Sequence, residues 1–172
     1  MKYSKKVIKE NLGKSAKDLV DSGICPTCFD RQTNGSVFGD CSKDVVYVDR
    51  DIECTLVHNP RAAGHLIIST QKHYHDVSEC PDRLNKKIIV FSSFFCRKIK
   101  EIYGCERVYL CTMSDGPTNH YHMQLIPRYS FEERGSKNFV KPRQEYVYDK
   151  EKIEKLRREV EIFAKKWNTQ SI

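Results

Sequence analysis

The sequence predicts an α+β fold: a mostly antiparallel, five-stranded sheet with one main helix packed on it and a further helix at the C-terminus. Residues 83–103 indicate the main helix, because apolar residues recur there at helical spacing until Gly104, a typical stop. Residues 150–167 indicate the C-terminal helix. Five short β-rich runs indicate the sheet: 45–48, 53–58, 65–69, 108–113 and the run that begins at His120. Strands grouped around one long helix favour a single sheet that this helix covers.

The remaining segments predict a short N-terminal helix and loops. Residues 4–21 are expected to form a polar helix that ends near Gly23, followed by a turn over 25–28. Residues 31–43 are rich in turn formers, and residues 130–148 show no regular pattern. We found no internal repeat and no long linker. A chain of 172 residues can bury a real core, so we expect a single domain over residues 1–172.

The composition is typical of a water-soluble domain with excess positive charge. The formal net charge of +7 favours an anionic ligand, although a solvated, charged surface would also produce it. Near the C-terminus the basic residues alternate with acidic ones, which argues against nucleic-acid binding. No apolar run could cross a bilayer, and the charged N-terminus has no apolar segment behind it. We therefore expect a cytoplasmic protein that binds no membrane.

Cys25 and Cys28 form a Cys-x-x-Cys pair in a chain with eight cysteines. The pair fits a redox centre, half of a zinc site or chance. Without a secretory signal, a reducing compartment and one metal site are favoured over disulfides. A structural zinc site needs four ligands, so histidines would have to complete it. Six histidines are available, and their spacing alone does not identify the two.

The run that begins at His120 carries the most informative pattern in the chain. Alternate residues of a strand share a face, so His120, His122 and Gln124 are predicted to project together. Tyr121, Met123 and Leu125 would then pack on the opposite face. An imidazole can attack phosphorus or bind a metal, and an amide can donate to a developing oxyanion. The array therefore indicates chemistry at a phosphorus or acyl centre.

Two segments resemble the histidine-triad (HIT) superfamily of nucleotide hydrolases and transferases. One runs from Asn59-Pro60 through Gly64-His65 to His73, and the other is His120-x-His122-x-Gln124-x-x-Pro127-Arg128. The resemblance covers roughly residues 24–130, which leaves 131–172 as a C-terminal extension. It implies a HIT-like fold and a nucleotide substrate. Relatives are commonly dimers that associate through the main helix and a sheet edge, so a homodimer is expected.

The resemblance also implies a ligand set for a structural zinc ion. Zinc-bearing members use a Cys-x-x-Cys before the first strand, the histidine that closes the Gly-His strand and the first histidine of the triad motif. Carried over by position, these are Cys25, Cys28, His73 and His120. His75, two residues beyond His73, is the main competitor.

The same resemblance assigns catalytic roles to the triad strand. His122 is expected to be the nucleophile, Gln124 to donate its amide to a phosphate oxygen, and the His120 carbonyl to orient the His122 ring. Most family hydrolases have a histidine where Gln124 stands, and a glutamine there resembles the branch of nucleotidyltransferases and phosphorylases. We therefore expect a hydrolase of nucleoside phosphate esters or anhydrides, such as dinucleoside polyphosphates. The alternatives are a nucleotidyltransferase or phosphorylase that uses phosphate as acceptor, and a nucleotide-binding protein without catalysis.

Further residues are candidates for contacts with the nucleotide. Many relatives carry an acidic residue that holds the ribose hydroxyls at the position of Val57, which cannot accept a hydrogen bond. His58 or Asn59 is expected to substitute. The turn before the triad strand supplies three candidates for phosphate contacts: Asn119, Thr118 and Gly116.

Overall fold

The computed structural model describes residues 1–114, 116–135, 137, 140–145 and 147–170. The predicted irregular segment 130–148 and the predicted domain over 1–172 lie partly outside these residues. Within them, no helix is both long enough and apolar enough to cross a membrane.

One five-stranded antiparallel sheet forms the centre of the fold, as predicted. The strand order is β1-β2-β3-β5-β4, so β1 and β4 are the two edges. The register places Ser69 of β3 opposite His122 and Ile67 opposite Gln124. The strands are β1 (Val45–Val48), β2 (Ile52–Leu56), β3 (Leu66–Thr70), β4 (Arg107–Cys111) and β5 (His122–Arg128).

The helices confirm the two long predicted elements and correct the N-terminal ones. The main helix ends at Gly104 in the left-handed conformation. The single helix expected over 4–21 is wrong, because Gly13, at φ +82°, breaks it into two short helices. The turn expected over 25–28 is instead the start of a helix, with Cys25 as its N-cap and proline in its first turn. The helices are α1 (Lys5–Asn11), α2 (Ala16–Asp21), α3 (Pro26–Gln32), α4 (Asp82–Tyr103) and α5 (Lys150–Gln170), with a 3₁₀ turn at Ser42–Asp44.

The main core lies between one face of the sheet and the two long helices. Tyr121, Met123 and Leu125 are buried in it, on the side of β5 predicted from the alternation. Helix α4 packs on β4 and β5, while α5 packs on β1 and α4. The apolar face of α5 is buried in the same core, so this helix is an integral part of the main core. Its core residues include Ile153, Leu156 and Val160.

The backbone before β3 requires a glycine at position 64. Gly64 adopts φ +79°, and a Cβ there would lie 2.8 Å from the ring of Tyr103. Only glycine meets both conditions without strain. The glycine of the Gly64-His65 pair therefore lets the backbone pass close to the end of α4.

The N-terminal helices have a separate, small core. Leu19, Ile24 and Phe29 are buried together, apart from the main core. Arg31 of α3 connects this segment to the sheet, since its guanidinium donates to the Thr70 carbonyl at 2.8 Å and to the Ser69 hydroxyl at 3.1 Å. These contacts hold α3 against the end of β3, next to the catalytic candidates.

Candidate functional site

Four side chains converge where α3 meets the start of β5. They are Cys25, Cys28, His73 and His120, and their potential ligand atoms all lie within 4.8 Å of one another. Cys25 and Cys28 come from the first turn of α3, His73 from the loop after β3, and His120 from the residue pair before β5. Such a set of two thiols and two imidazoles could hold a metal ion.

The distances fit a tetrahedral ion of the size of zinc. Zinc bonds of about 2.3 Å to sulfur and 2.0–2.1 Å to nitrogen place sulfur and nitrogen ligands about 3.6 Å apart in a tetrahedron. The Nδ1 atom of His120 lies 3.6 Å from the Cys25 sulfur and 3.4 Å from the Cys28 sulfur. The Nδ1 atom of His73 lies 3.4 Å from the Cys28 sulfur. His75 is not part of this cluster, because its Nδ1 is 2.9 Å from Glu79 in an exposed hydrogen bond.

Hydrogen bonds around the cluster prepare these groups as ligands. The Nε2–H of His120 donates to the Thr70 carbonyl at 2.8 Å, which leaves Nδ1 free to face the cysteines. The backbone N–H of Cys28 donates to the Cys25 sulfur at 3.4 Å. The interaction between the two side chains lowers the pKa of Cys28 and raises that of Cys25. A bound cation would take both sulfurs as thiolates.

His122 stands at the start of β5 with Nδ1 as a hydrogen-bond donor and Nε2 as an acceptor. Its Nδ1–H donates to the His120 carbonyl at 2.8 Å, since a carbonyl can only accept. Nε2 therefore carries the lone pair, and it accepts from the Gln124 amide at 3.4 Å. Burial lowers the pKa of His122, as do the charges of His120 and Arg143, although its bond to the His120 carbonyl opposes this. A lowered pKa favours the neutral imidazole, which is the form that can act as a nucleophile.

Gln124 and His65 are both buried polar side chains. Gln124 is 6% exposed and His65 is 1% exposed. The Nδ1 of His65 accepts the backbone N–H of Arg61 at 3.2 Å, so Nε2 carries the proton. That Nε2 is buried without a hydrogen-bond partner among the described residues. Burial, followed by the charges of Arg143 and Arg61, lowers the pKa of His65 to about 3, whereas Gln124 opposes the shift.

A groove of about 810 Å³ runs in front of His122 and Gln124. Its size falls within the range of small-molecule pockets, about 300–1,000 Å³. The N-terminal segment forms one side of it, through Arg31 and Phe38 among others. A second cavity, of about 110 Å³, lies beside Tyr103 and Gln144 and is too small for a nucleotide. The larger groove is therefore the candidate ligand site.

The predicted contact residues divide into two groups. His58 and Asn59 line the groove, as do His120, His122 and Gln124. Asn119, Thr118 and Gly116 are not among its lining residues. The amide of Asn119 instead donates to the His75 carbonyl and the Ser114 hydroxyl, and Thr118 is buried. Their expected phosphate contacts stay predictions.

Three contributors to this region were not identified from the sequence. Arg31 and Thr70 connect α3, β3 and His120 through the hydrogen bonds described above. Arg143 lines the groove, although it lies in the extension that the motif resemblance does not cover. Arg143 is in a segment without periodicity, and no local signal could have placed it beside His122.

Comparisons with known proteins agree with this fold. No family model matches the chain. A curated protein of Methanocaldococcus jannaschii, described as an uncharacterized HIT-like protein, is 29% identical over 104 residues, which cover 53% of this chain and 73% of that protein.

Solved structures of histidine-triad proteins share the architecture. A zinc-bound histidine triad family protein of Mycobacterium smegmatis superposes with a TM-score of 0.58 at 15% identity, covering 74% of this chain and 90% of that one. A HIT family protein of Bacillus anthracis gives a TM-score of 0.52 at 18% identity, covering 85% of this chain and 96% of that one. These likenesses establish the fold as the HIT-like one.

The sheet order confirms the HIT-like fold that the two motifs predicted, and the chain is similar in sequence to a curated HIT-like protein.

Proposed function

We propose that this protein hydrolyses nucleoside phosphate esters or anhydrides, such as dinucleoside polyphosphates, through a nucleotidyl intermediate on His122. The observation that carries the proposal is the hydrogen bond of 2.8 Å from His122 Nδ1 to the His120 carbonyl. It commits Nδ1 as the protonated nitrogen and leaves the Nε2 lone pair beside Gln124, in a groove large enough for a nucleotide.

The chemistry would proceed by two displacements at the α-phosphorus. Nε2 of His122 forms a bond to phosphorus while the bond from phosphorus to the leaving oxygen breaks, and that oxygen keeps the electron pair. The ring then carries a positive charge, which the His120 carbonyl stabilises by accepting from Nδ1–H. A water oxygen next attacks phosphorus, the electron pair of the N–P bond returns to Nε2, and the water proton passes to solvent. Gln124 would donate to a non-bridging oxygen in both steps.

Gln124 also favours a second candidate, transfer to inorganic phosphate. A protonated imidazole at this position could give a proton to the leaving group, whereas an amide cannot. The chemistry is therefore biased towards leaving groups that need no acid, and phosphates meet this condition. For the same reason inorganic phosphate could replace water as the acceptor of the nucleotidyl group on His122, which is the phosphorylase reaction.

The metal cluster is proposed to hold a structural zinc ion. Cys25, Cys28, His73 and His120 would supply all four ligands, and a filled tetrahedral shell has no position for a reactive water. The bound ion would connect α3 to His120, two residues before the start of β5. The zinc-bound relative with the same fold supports this choice of metal.

His58 and Asn59 are the candidates for contacts with the nucleoside, since both line the groove.

The expected homodimer would use the exposed β4 edge, where Leu110 is 43% exposed. Light scattering in solution tests this: a mass near 40 kDa would support it, and a mass near the 20.1 kDa of one chain would oppose it.

Intact-mass spectrometry tests the catalytic proposal. The protein is incubated with a panel of dinucleoside polyphosphates and nucleotide sugars, then quenched in alkali to preserve the phosphorus–nitrogen bond. We expect a mass increase of one nucleotidyl group that is lost in His122→Ala. Adding inorganic phosphate separates the two candidates, because a phosphorylase consumes substrate faster with phosphate and releases a nucleoside diphosphate. Tight mononucleotide binding without any adduct or turnover would favour the non-catalytic alternative.

A further inference from the structure

Two arginines beside the catalytic groove stand close together without a carboxylate partner. Among the described residues, neither Arg61 nor Arg143 has an acidic group within 4.0 Å. Other cations around the site are neutralised: Arg31 by Glu53 at 3.6 Å, Arg128 by Glu106 at 2.6 Å and Lys141 by Glu132 at 2.5 Å. The two unpaired guanidiniums are therefore an exception in this part of the molecule.

The protein fixes both side chains in place through backbone carbonyls. Arg143 donates from Nη1 to the Asn59 carbonyl at 2.7 Å, and Arg61 donates from Nη1 to the Lys141 carbonyl. The Nε–H of Arg61 is buried without a hydrogen-bond partner in the described part of the chain. A carbonyl positions a guanidinium without cancelling its charge, so both residues keep the capacity to bind an anion.

The unpaired charge faces the catalytic groove. Arg143 lines the same groove as His122 and Gln124. Burial, followed by the charge of Arg61, lowers the pKa of Arg143. Two adjacent cations repel each other at a cost that a bound anion would remove.

We propose that Arg143, supported by Arg61, forms a phosphate subsite beside His122 that binds the part of the substrate not transferred to the histidine. This inference rests on the proposed function and names its substrate class. The departing or accepting group is an anionic phosphate or polyphosphate, not an amine or a neutral alcohol. The C-terminal extension contributes Arg143, so the substrate preference of this chain depends partly on residues beyond the motif match.

Binding of inorganic tripolyphosphate tests the subsite without requiring turnover. Calorimetry at about 0.15 M salt screens distant surface charges. The matched control for Arg143→Gln is Arg158→Gln, which removes the same charge from an exposed position on α5. Loss of a charge-assisted hydrogen bond should weaken tripolyphosphate binding about 10- to 100-fold in Arg143→Gln. The control should stay within about twofold of wild type, and Arg143→Lys should recover part of the loss. Equal affinities in Arg143→Gln and Arg158→Gln would overturn the proposal.

Two kinetic arms separate the possible sources of the phosphate. The first compares kcat/KM for a dinucleoside tetraphosphate and for the 4-nitrophenyl ester of the same nucleotide. A loss at least tenfold larger with the tetraphosphate in Arg143→Gln identifies a subsite for the leaving group. The second measures how inorganic phosphate accelerates turnover of the ester, and a raised half-saturating phosphate concentration identifies a subsite for the acceptor. Equal losses with both substrates and an unchanged phosphate response would overturn the subsite.

The failure of this inference and that of the proposed function can be told apart. If wild type forms no nucleotidyl adduct, the proposed function fails, while tripolyphosphate binding still decides whether the subsite exists. If His122→Ala abolishes the adduct, the proposed function is supported. If Arg143→Gln then behaves like Arg158→Gln in both the binding and the kinetic measurements, the subsite is excluded. Thermal unfolding of each variant confirms that binding is compared between folded proteins.

Discussion

Replacing Gln124 with glutamate is the sharpest test of how the site stabilises charge on phosphorus. The two side chains have nearly the same shape, so Gln124→Glu changes the chemistry of the group rather than its volume. Gln124 is 6% exposed, and its amide nitrogen lies 3.4 Å from the Nε2 of His122. A carboxylate there removes the donor and places a negative charge beside the reacting phosphorus.

The two effects act in the same direction. Losing one donor to a developing oxyanion costs about 10²–10³ in rate. A carboxylate about 4 Å from a phosphate oxygen adds a repulsion of about 4 kcal/mol at an effective dielectric constant of 20, which is roughly another 10³. We therefore expect the rate of nucleotidyl transfer to His122 to fall by at least 10³. The nearby negative charge should also raise the pKa of His122, so the activity that remains should increase towards higher pH.

Rapid-quench measurement of the nucleotidyl-enzyme in a single turnover reports this step directly. Gln124→His is the informative control, because an imidazole can both donate a hydrogen bond and protonate a leaving group. It should retain adduct formation and improve turnover of substrates with poor leaving groups. A Gln124→Glu protein that folds normally and loses less than tenfold in adduct formation would refute the role of the amide.

Two further predictions concern stability. Cys25→Ser should lower the thermal midpoint and the zinc content together, measured by calorimetry and elemental analysis, and a full complement of zinc in this variant would exclude Cys25 as a ligand. Lys87 is 6% exposed and bonds Asp49 at 2.7 Å and Asp51 at 2.9 Å, so Lys87→Met should lower the free energy of unfolding by about 3 kcal/mol. Burial is the largest single influence and would raise the pKa of both carboxyls. The bonds from Lys87 outweigh it together with further contacts, from Tyr47 and backbone N–H groups at Asp49 and from Arg83 at Asp51, and both pKa values lie below their usual range. This stabilisation is therefore complete above the unfolded carboxyl pKa of about 4 and is lost as the pH falls through the lower folded values. Urea titrations should show the difference between wild type and Lys87→Met shrinking below about pH 4; a difference independent of pH would exclude the ion pairs as its cause.

The sheet and the two long helices were predictable because their signals are local and repeated. Alternation along β5 correctly separated Tyr121, Met123 and Leu125 from the polar face. The N-terminal helices were harder, since each has only six or seven residues and too few turns for periodicity to emerge. Pro26 is the local signal for α3, because a proline in the first turn, after an N-cap, is typical of a helix start.

The site was only partly predictable, because its parts meet through tertiary structure. Spacing could not choose His73 over His75, two residues apart in one loop, and only the folded chain shows which of them faces the cysteines. The motif resemblance named the residues on β5 but carried no information about Arg143. The Gln144 N–H donates to the Pro60 carbonyl, and this contact holds the segment that carries Arg143 against the loop after β2. The position of Arg143 beside His122 therefore results from this packing of the segment against the loop.

His120 connects the candidate metal cluster to His122, the proposed nucleophile, within a single residue. Its Nδ1 faces the two cysteines, its Nε2–H donates to the Thr70 carbonyl, and its own carbonyl accepts from His122. A bound ion that fixes the His120 ring would also fix the backbone on which that carbonyl sits. The carbonyl in turn determines which nitrogen of His122 keeps its lone pair. A structural ion at this position would thus influence reactivity without touching the substrate, by holding the nucleophile in the tautomer that can attack.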